Sequence, residues 1–261
     1  MIFLIGGKGL VGSGFSRYLK KKKIKFKLIT RENKKKFFGK KCNVIIDCNG
    51  NGSKRKANDN PSFDFEASVK SVVDNLNNIK FNKYIYISTI YTYKNLTKKS
   101  ETFEDKNKNT DEISPYGLNK RIAELYVKKL SPKYLIFRLP FVIGPGLKRN
   151  SVYDLTHYKK TFYTFNSEIN WIHTDTIAKS VITILKKNIN NQTFNLVSKD
   201  SITIDKVVKL CNLKKNEVLP SKRTFEKTHI NSKKISKYVR LSNSTDEVKK
   251  YVAQYKLNRN I

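Results

Sequence analysis

Met1-Ile-Phe-Leu-Ile5-Gly6-Gly7-Lys8-Gly9-Leu10-Val11-Gly12 opens the chain. Its unbroken apolar start reads as a buried strand, and apolar residues at helical spacing from Leu10 to Leu19, closed by Lys20 to Lys23, read as a helix. A strand, a glycine turn and a helix in that order suit a nucleotide pyrophosphate. One glycine permits the sharp turn, another lets the backbone approach the phosphates at the positive helix end, and the last lets helix and strand pack closely. Gly6, Gly9, Leu10, Val11 and Gly12 are therefore candidate cofactor contacts. The same glycines cut the apolar run short of a signal peptide or membrane helix, and no longer apolar run follows. A whole soluble chain is the expectation.

Downstream, Lys25 to Thr30 and Cys42 to Cys48 read as strands, 51–61 as a polar loop, Phe65 to Ile79 as an amphipathic helix and Tyr84 to Ser88 as a strand. Lys94 to Glu112 is too polar to pack and reads as a surface excursion. Pro115 then opens a helix running to Leu130, followed by a strand from Tyr134 to Phe141. This alternation predicts an α/β fold, a Rossmann-type doubly wound parallel sheet with its ligand crevice at the carboxyl ends of the strands. After Gly144-Pro-Gly146 the regularity weakens: Phe162 to Ile172 and Thr193 to Val197 look strand-like, Asp175 to Lys186 and Ile204 to Leu210 helical, and Pro220 to Ile261 a set of small helices. Residues 1–146 are expected to form the dinucleotide-binding core, with 172–198 returning to it. Residues 147–171 and 199–261 are left for a small C-terminal substrate lobe.

With 261 residues, one good-sized core and an appendage are affordable, and two full domains would be tight. Cys42, Cys48 and Cys211 show neither an even count nor paired spacing, so no disulfide framework and no metal site is expected, and a reducing cytoplasm fits. The net charge of +33 invites a nucleic-acid reading. Against it, Lys outnumbers Arg roughly five to one and the lysines spread from Lys20 to Lys256. Lys, Asn and Ile are also the residues an AT-rich genome favours. A phosphorylated substrate is welcome in such a field; a nucleic-acid partner is not expected.

Tyr116-Gly-Leu-Asn-Lys120 carries the chemistry. Four residues on a helix place Tyr116 and Lys120 on one face, where an ammonium lowers a phenol's pKa toward working pH and lets it exchange a proton at a carbonyl or alcohol. The strand Tyr84-Ile-Tyr-Ile-Ser88-Thr89 ends in hydroxyls at the edge where a cofactor would lie. After the second strand, Arg31 stands where a ribose-binding acid is usual, which favours a 2′-phosphate and hence NADP over NAD.

Together these pieces resemble the extended short-chain dehydrogenase/reductase family, the NAD-dependent epimerase/dehydratase group. The resemblance rests on Gly6 to Gly12, Val44 to Gly50, Tyr86 to Thr89 with Tyr93, Ser114 to Lys120, Arg138 to Gly146 and Trp171 to Asp175, in the family's order over about the first 200 residues. It implies that Thr89 holds the substrate oxygen, with Ser88 as the alternative hydroxyl. It makes Tyr116 the acid/base and Lys120 the group that binds the nicotinamide ribose and tunes Tyr116. Cys48, Asn49 and Gly50 then cover the cofactor, and Pro140 to Val142 border the nicotinamide. The stretch His173 to Asp175 is implied to pin the lobe, with Asp175 capping a helix. A homodimer through the helices Phe65 to Ile79 and Tyr116 to Leu130 is also implied.

Two departures stand out. Only a dozen residues separate Arg31 from Val44, so a helix and strand that often end in an adenine-contacting acid are reduced; and Ile169 stands where many sugar-nucleotide enzymes carry a pyrophosphate-gripping arginine. Lys148, Arg149 or the basic tail could take over that grip. The expected function is an NADP-preferring reductase or epimerase of a nucleotide-linked sugar. Dehydration is disfavoured by Ile90 and Tyr91, which follow Thr89 where dehydratases often carry acids. Reduction of a small aldehyde or ketone is the alternative, and a non-catalytic cofactor- or nucleic-acid-binding protein the third reading.

Overall fold

The computed structural model describes residues 1–105 and 112–257, with backbone only at 220–223. Its core elements are β1 (Ile2–Ile5), α1 (Leu10–Lys21), β2 (Phe26–Ile29), β3 (Lys41–Asp47), α2 (Lys54–Asp59), α3 (Pro61–Phe65), α4 (Ser71–Asn78), β4 (Lys80–Thr89), α5 (Pro115–Leu130) and β5 (Tyr134–Leu139). They are followed by β6 (Phe141–Ile143), α6 (Ser151–Tyr158), β7 (Lys160–Tyr163), β8 (Glu168–Ile169), β9 (Trp171–His173), α7 (Thr174–Lys186) and β10 (Gln192–Asn195). The chain continues through β11 (Ile202–Thr203), α8 (Ile204–Leu210), β12 (Leu219–Thr224), α9 (Lys233–Ser236) and α10 (Ser244–Leu257).

Six strands form one parallel sheet in the order β10-β5-β4-β3-β1-β2. Side chains alternate between its two faces, and both faces are apolar because both are covered. Ile2 and Leu4 of β1 enter a core shared with Phe15 and Leu19 of α1 and with Ile177 and Val181 of α7. Phe3 and Ile5 enter the opposite core, against Val72 and Leu76 of α4 and Ala123 and Val127 of α5. Each such fully buried side chain contributes roughly 1.5–3 kcal/mol relative to exposure. The fold is the doubly wound sheet that the strand and helix periods imply.

The short link between Arg31 and Val44 has a structural counterpart. Between β2 and β3 the chain makes one 3₁₀ turn, Lys34–Phe37, and β3 pairs directly with β1, leaving β2 at the sheet edge. Phe37 packs edge-on against Phe3 at 5.1 Å, so an aromatic pair covers β1 where a crossover helix would lie.

Several elements differ from the sequence expectation. The polar stretch 51–61 holds α2 and the start of α3: Ser53 accepts from Lys56 N–H and Asn60 from Phe63 N–H, and Pro61 takes the first helical position. The helix expected from Phe65 thus begins earlier, and it passes through a π-helical stretch at 66–70 before α4. The excursion Lys94 to Glu112 is not simply a solvated loop. Leu96, Thr102 and Glu104 are buried, because Asn195 and Asn231 supply the hydrogen bonds that Thr102 and Glu104 need. Its 106–111 portion lies outside the described residues. α6 has no counterpart in the periodicity, and the tail holds β12 and the 14-residue α10 rather than small helices alone.

A third apolar cluster gathers Ile143, Val152, Ile169, Trp171, Val207 and Val248. It sits beyond Pro140, where the chain leaves β5 and β6 pairs with β9 instead. Ile235 and Leu241 are buried in the first core of the sheet, so part of the tail assigned to the lobe packs on the core.

Candidate active site

The glycine turn is shaped by close approach. Gly6 has φ +73°, and a Cβ there would sit 2.9 Å from Asn49 N; one on Gly12 would sit 2.2 Å from Gly6 O. Gly9 precedes α1 with no side-chain cap and no acidic residue in the first turn. The first amides of a helix lack partners within it, so the residues from Gly9 to Gly12 fit an anionic pyrophosphate. Arg31 is exposed just past β2. The Glu32 carboxyl beside it is held below its ordinary range, first by the Thr30 hydroxyl and to a lesser degree by Lys8 and Arg31. Lys8 of the glycine turn and Arg31 thus share one corner.

The loop after β3 is fixed by a carboxylate absent from the sequence-derived candidates. Asp47 is fully buried; it accepts from Asn49 N–H at 2.8 Å, from Asn75 Nδ2 at 2.8 Å and from the Tyr84 hydroxyl. Asn49 also donates to Ser71 Oγ at 2.6 Å. Gly50 has φ +121°, and a Cβ there would come within 2.9 Å of Lys120 Nζ. Cys48, Asn49 and Gly50 therefore form a rigid strip between the glycine turn and Lys120. Burial pushes the Cys48 thiol up, which suits a packing residue and not a nucleophile.

Ser114 starts α5 by accepting from Gly117 N–H at 3.4 Å, and Pro115 follows. The first turn of α5 presses against the end of β4, since a Cβ on Gly117 would meet Tyr91 O at 2.0 Å. Along β4 the period of two separates the hydroxyls. Ser88 donates to Glu124 at 2.7 Å, inside a buried pair in which Arg138 contacts the same carboxylate at 2.9 and 2.6 Å. Thr89 Oγ1 instead accepts from Tyr91 N–H at 3.3 Å, and its hydroxyl is the one whose influence the Tyr116 phenol feels. Ser88 is thus committed elsewhere, and Thr89 is the hydroxyl beside the phenol.

The expected lowering of the Tyr116 pKa is absent. Burial pushes the phenol up to about 12; the Thr89 hydroxyl pulls it down and the Asp64 charge adds to the rise. Lys120 is buried, and burial lowers its pKa against the pull of Asp47 and Asp64. Its Nζ lies 5.2 Å from the centre of the Tyr86 ring. Spacing places both groups on one helix face, but it carries no information about burial, and burial dominates here. Asp64 escaped the sequence reading as well. It is fully buried and accepts from Asn51 at 2.9 Å, Ser68 at 3.2 Å and Asn119 at 2.7 Å.

Pro140 is buried and Val142 half-buried where the chain leaves β5, at the carboxyl edge of the sheet. Beyond them Phe141 meets Tyr91 at 6.2 Å and Tyr163 at 5.9 Å, and Tyr91 meets Tyr116 at 6.2 Å. A cleft of about 640 Å³ opens beside Tyr91, bordered by Lys54, Ser114 and Glu226. Ile169 is buried in the third apolar cluster, while Lys148 and Arg149 are exposed ahead of α6.

His173, not Asp175, caps α7. Its imidazole accepts from Asp175 N–H at 3.2 Å and meets Gln254 at 2.9 Å, and burial lowers its pKa to about 4. Asp175 pairs with Arg17 and Lys250 at 3.1 Å each. These contacts tie α7 to α1 and α10. Among the described residues no cluster of His, Cys, Asp or Glu could hold a metal ion, and no helix is long and apolar enough to cross a membrane.

Among solved structures, a dTDP-4-dehydrorhamnose reductase from Clostridium acetobutylicum superposes with a TM-score of 0.76 at 18% identity, covering 98% of this chain and 99% of that one. The Thermus thermophilus UDP-glucose 4-epimerase, in complex with NAD, gives 0.78 at 15% identity with 98% of each chain covered. A Bacillus anthracis dTDP-4-dehydrorhamnose reductase in complex with NADP gives 0.77 at 14% identity, covering 97% of each. Comparison with curated protein sequences finds no match. At sequence level, a family model matches residues 2–196, three quarters of the chain. The protein belongs to the NAD dependent epimerase/dehydratase family, a group of NAD(P)-dependent enzymes.

Proposed function

We propose that the protein is an NADP(H)-preferring reductase of a keto sugar linked to a nucleoside diphosphate. The observation that carries this reading is the buried Tyr116 at the start of α5, next to the Thr89 end of β4, with buried Lys120 one turn further along the helix. A phenol held up at about 12 is in its proton-donating form at neutral pH. Thr89 orients a carbonyl oxygen, Tyr116 delivers the proton to it, and Lys120 holds a ribose hydroxyl beside Gly50. The nicotinamide, when bound, supplies the hydride. The residues from Gly9 to Gly12 hold its pyrophosphate, and Lys8 with Arg31 favour a 2′-phosphate. Exposed Lys148 and Arg149 are the groups offered to the substrate diphosphate.

Exposed Phe65, Leu118, Leu125 and Tyr126 on the α3 and α5 helices support a homodimer through these elements. A second reading, reduction of a small carbonyl compound, is favoured by one observation: Ile169 is sealed in the lobe core and cannot grip a pyrophosphate. The two readings are separated by incubating the protein with NADPH and dTDP-4-dehydrorhamnose, or with UDP-glucose, while following absorbance and products. NADPH oxidation with the keto sugar supports the reductase. Interconversion of UDP-glucose and UDP-galactose without net oxidation would replace it with an epimerase. No turnover, together with no melting shift from UDP or dTDP, would favour the small carbonyl.

A further inference from the structure

Glu226 follows β12 on a segment pinned alongside 164–168. Its N–H donates to Ser167 Oγ at 3.1 Å, and its carbonyl accepts from Glu168 N–H at 2.9 Å. The backbone is therefore fixed, and the side chain borders the cleft beside Tyr91. Three elements face the carboxylate: Tyr91 after β4, Tyr163 of β7 and Lys54 of α2 all interact with it electrostatically. Among the described residues nothing donates a hydrogen bond to this carboxylate, and no cation lies within ion-pair distance of it. Lys54 is placed over the ring of Tyr91 at 4.6 Å, while Lys94 and Lys227, which also line the cleft, pair with Glu112 and Glu168. Burial pushes the carboxyl up and Lys54 pulls it back, as for an acid short of partners.

The buried carboxylates Asp47, Asp64 and Glu124 each accept three or more hydrogen bonds from protein donors, whereas among the described residues this half-buried one, on a fixed backbone, accepts none. A carboxylate offers about four acceptor positions, and leaving them unmet away from water is costly. The chemistry that meets them is a ring of adjacent hydroxyls, presented from the cleft beside Tyr91 that Ser114, two residues before Tyr116, also borders. Building on the proposed nucleotide-sugar substrate, we infer that Glu226 is the specificity-determining residue of the sugar subsite. It accepts hydrogen bonds from hydroxyl groups of a neutral pyranose and repels a sugar that carries a carboxylate on that side.

The test compares the full-length protein with Glu226→Gln and Glu226→Asp, all saturated with NADPH, by calorimetric titration with UDP, dTDP, UDP-glucose, dTDP-glucose and UDP-glucuronic acid. The wild type should bind the better glucose nucleotide on the order of tenfold more tightly than the matching diphosphate. UDP-glucuronic acid should bind more weakly than UDP-glucose. Glu226→Gln should erase most of that gain and narrow the glucose-to-glucuronate ratio, with diphosphate affinity kept within about twofold. Glu226→Asp, which keeps the charge and shortens the reach, should retain the ratio and lose the gain. An NADPH melting shift equal to wild type establishes that each variant is folded. If Glu226→Gln keeps both gain and ratio, Glu226 is not the reader, and the nucleotide-sugar reading survives. If the wild type binds none of the five ligands, both readings fall together.

Discussion

Glu124 and Asp64 are both fully buried carboxylates near Lys120, but they are held in opposite ways. Glu124 is neutralised by Arg138 at 2.6 Å and by Arg121 at 3.0 Å. Among the described residues the hydrogen-bond partners of Asp64 are all neutral: Asn51, Ser68 and Asn119. A neutralised pair fastens α5 to β4 and β5 and exerts little field beyond itself. An acid held by amides and a hydroxyl keeps its charge available to its neighbours. Lys120 registers the difference: Asp47 and Asp64, both solvated by neutral groups, support its ammonium more than Glu124 does. Buried acids of the same fold thus divide into those that build and those that tune.

The largest expected effect falls on the phenol that these groups surround. Tyr116→Phe should lower turnover by about 10²–10⁴-fold and leave NADPH affinity within a factor of two, as read by steady-state kinetics beside a binding titration. Next comes the builder. Glu124→Leu alone leaves Arg138 buried and unpaired, and should cost about 3–5 kcal/mol in denaturant unfolding; adding Arg138→Met should recover most of the loss. If the double variant is no more stable than the single, the pair contributes more than its own neutralisation.

The tuner should behave differently. Asp64→Asn removes a charge that raises the Tyr116 pKa. The alkaline limb of kcat/KM should then move to lower pH by on the order of one unit, while the Glu124→Leu/Arg138→Met protein keeps its limb in place. Coincident limbs in all three proteins would abolish the distinction. Smaller again is the acid dependence set by His173. Its folded pKa is depressed to about 4 from 6.5, so the unfolded chain binds the extra proton first as pH falls. The contribution of His173 to stability is full above pH 6.5 and is lost toward pH 4, and that part of the acid decline should be missing in His173→Gln. The smallest change expected is in cofactor choice, where Arg31→Ala should narrow the NADPH-to-NADH affinity ratio by roughly tenfold without altering kcat.

How much of this was legible in the sequence depended on how far apart the partners lie. The glycine turn and the Tyr116–Lys120 face are local patterns, and the strand period separates Ser88 from Thr89. Asp47 meets Asn75 and Tyr84 across 28 and 37 residues, and Asp64 meets Asn119 across 55. No local period encodes such contacts. The Tyr116 pKa was misjudged for a related reason, since spacing reveals neighbours but not desolvation. α2 was missed because its residues are polar, although Ser53 and Asn60 are ordinary capping signals. Glu226 lay hidden in a Lys- and Ser-rich tail whose path back to Tyr91 only the folded lobe discloses.

The most direct test of the central claim is a thermal-shift titration of the wild type and Tyr116→Phe with NADPH and NADH at low and high salt. Equal, salt-resistant NADPH shifts in both proteins, with turnover confined to the wild type, are expected from a glycine turn that holds the cofactor and a phenol that supplies the proton. No shift with either dinucleotide in either protein would mean that the glycine turn holds no such ligand, and the chemistry assigned to Tyr116 would fall with it.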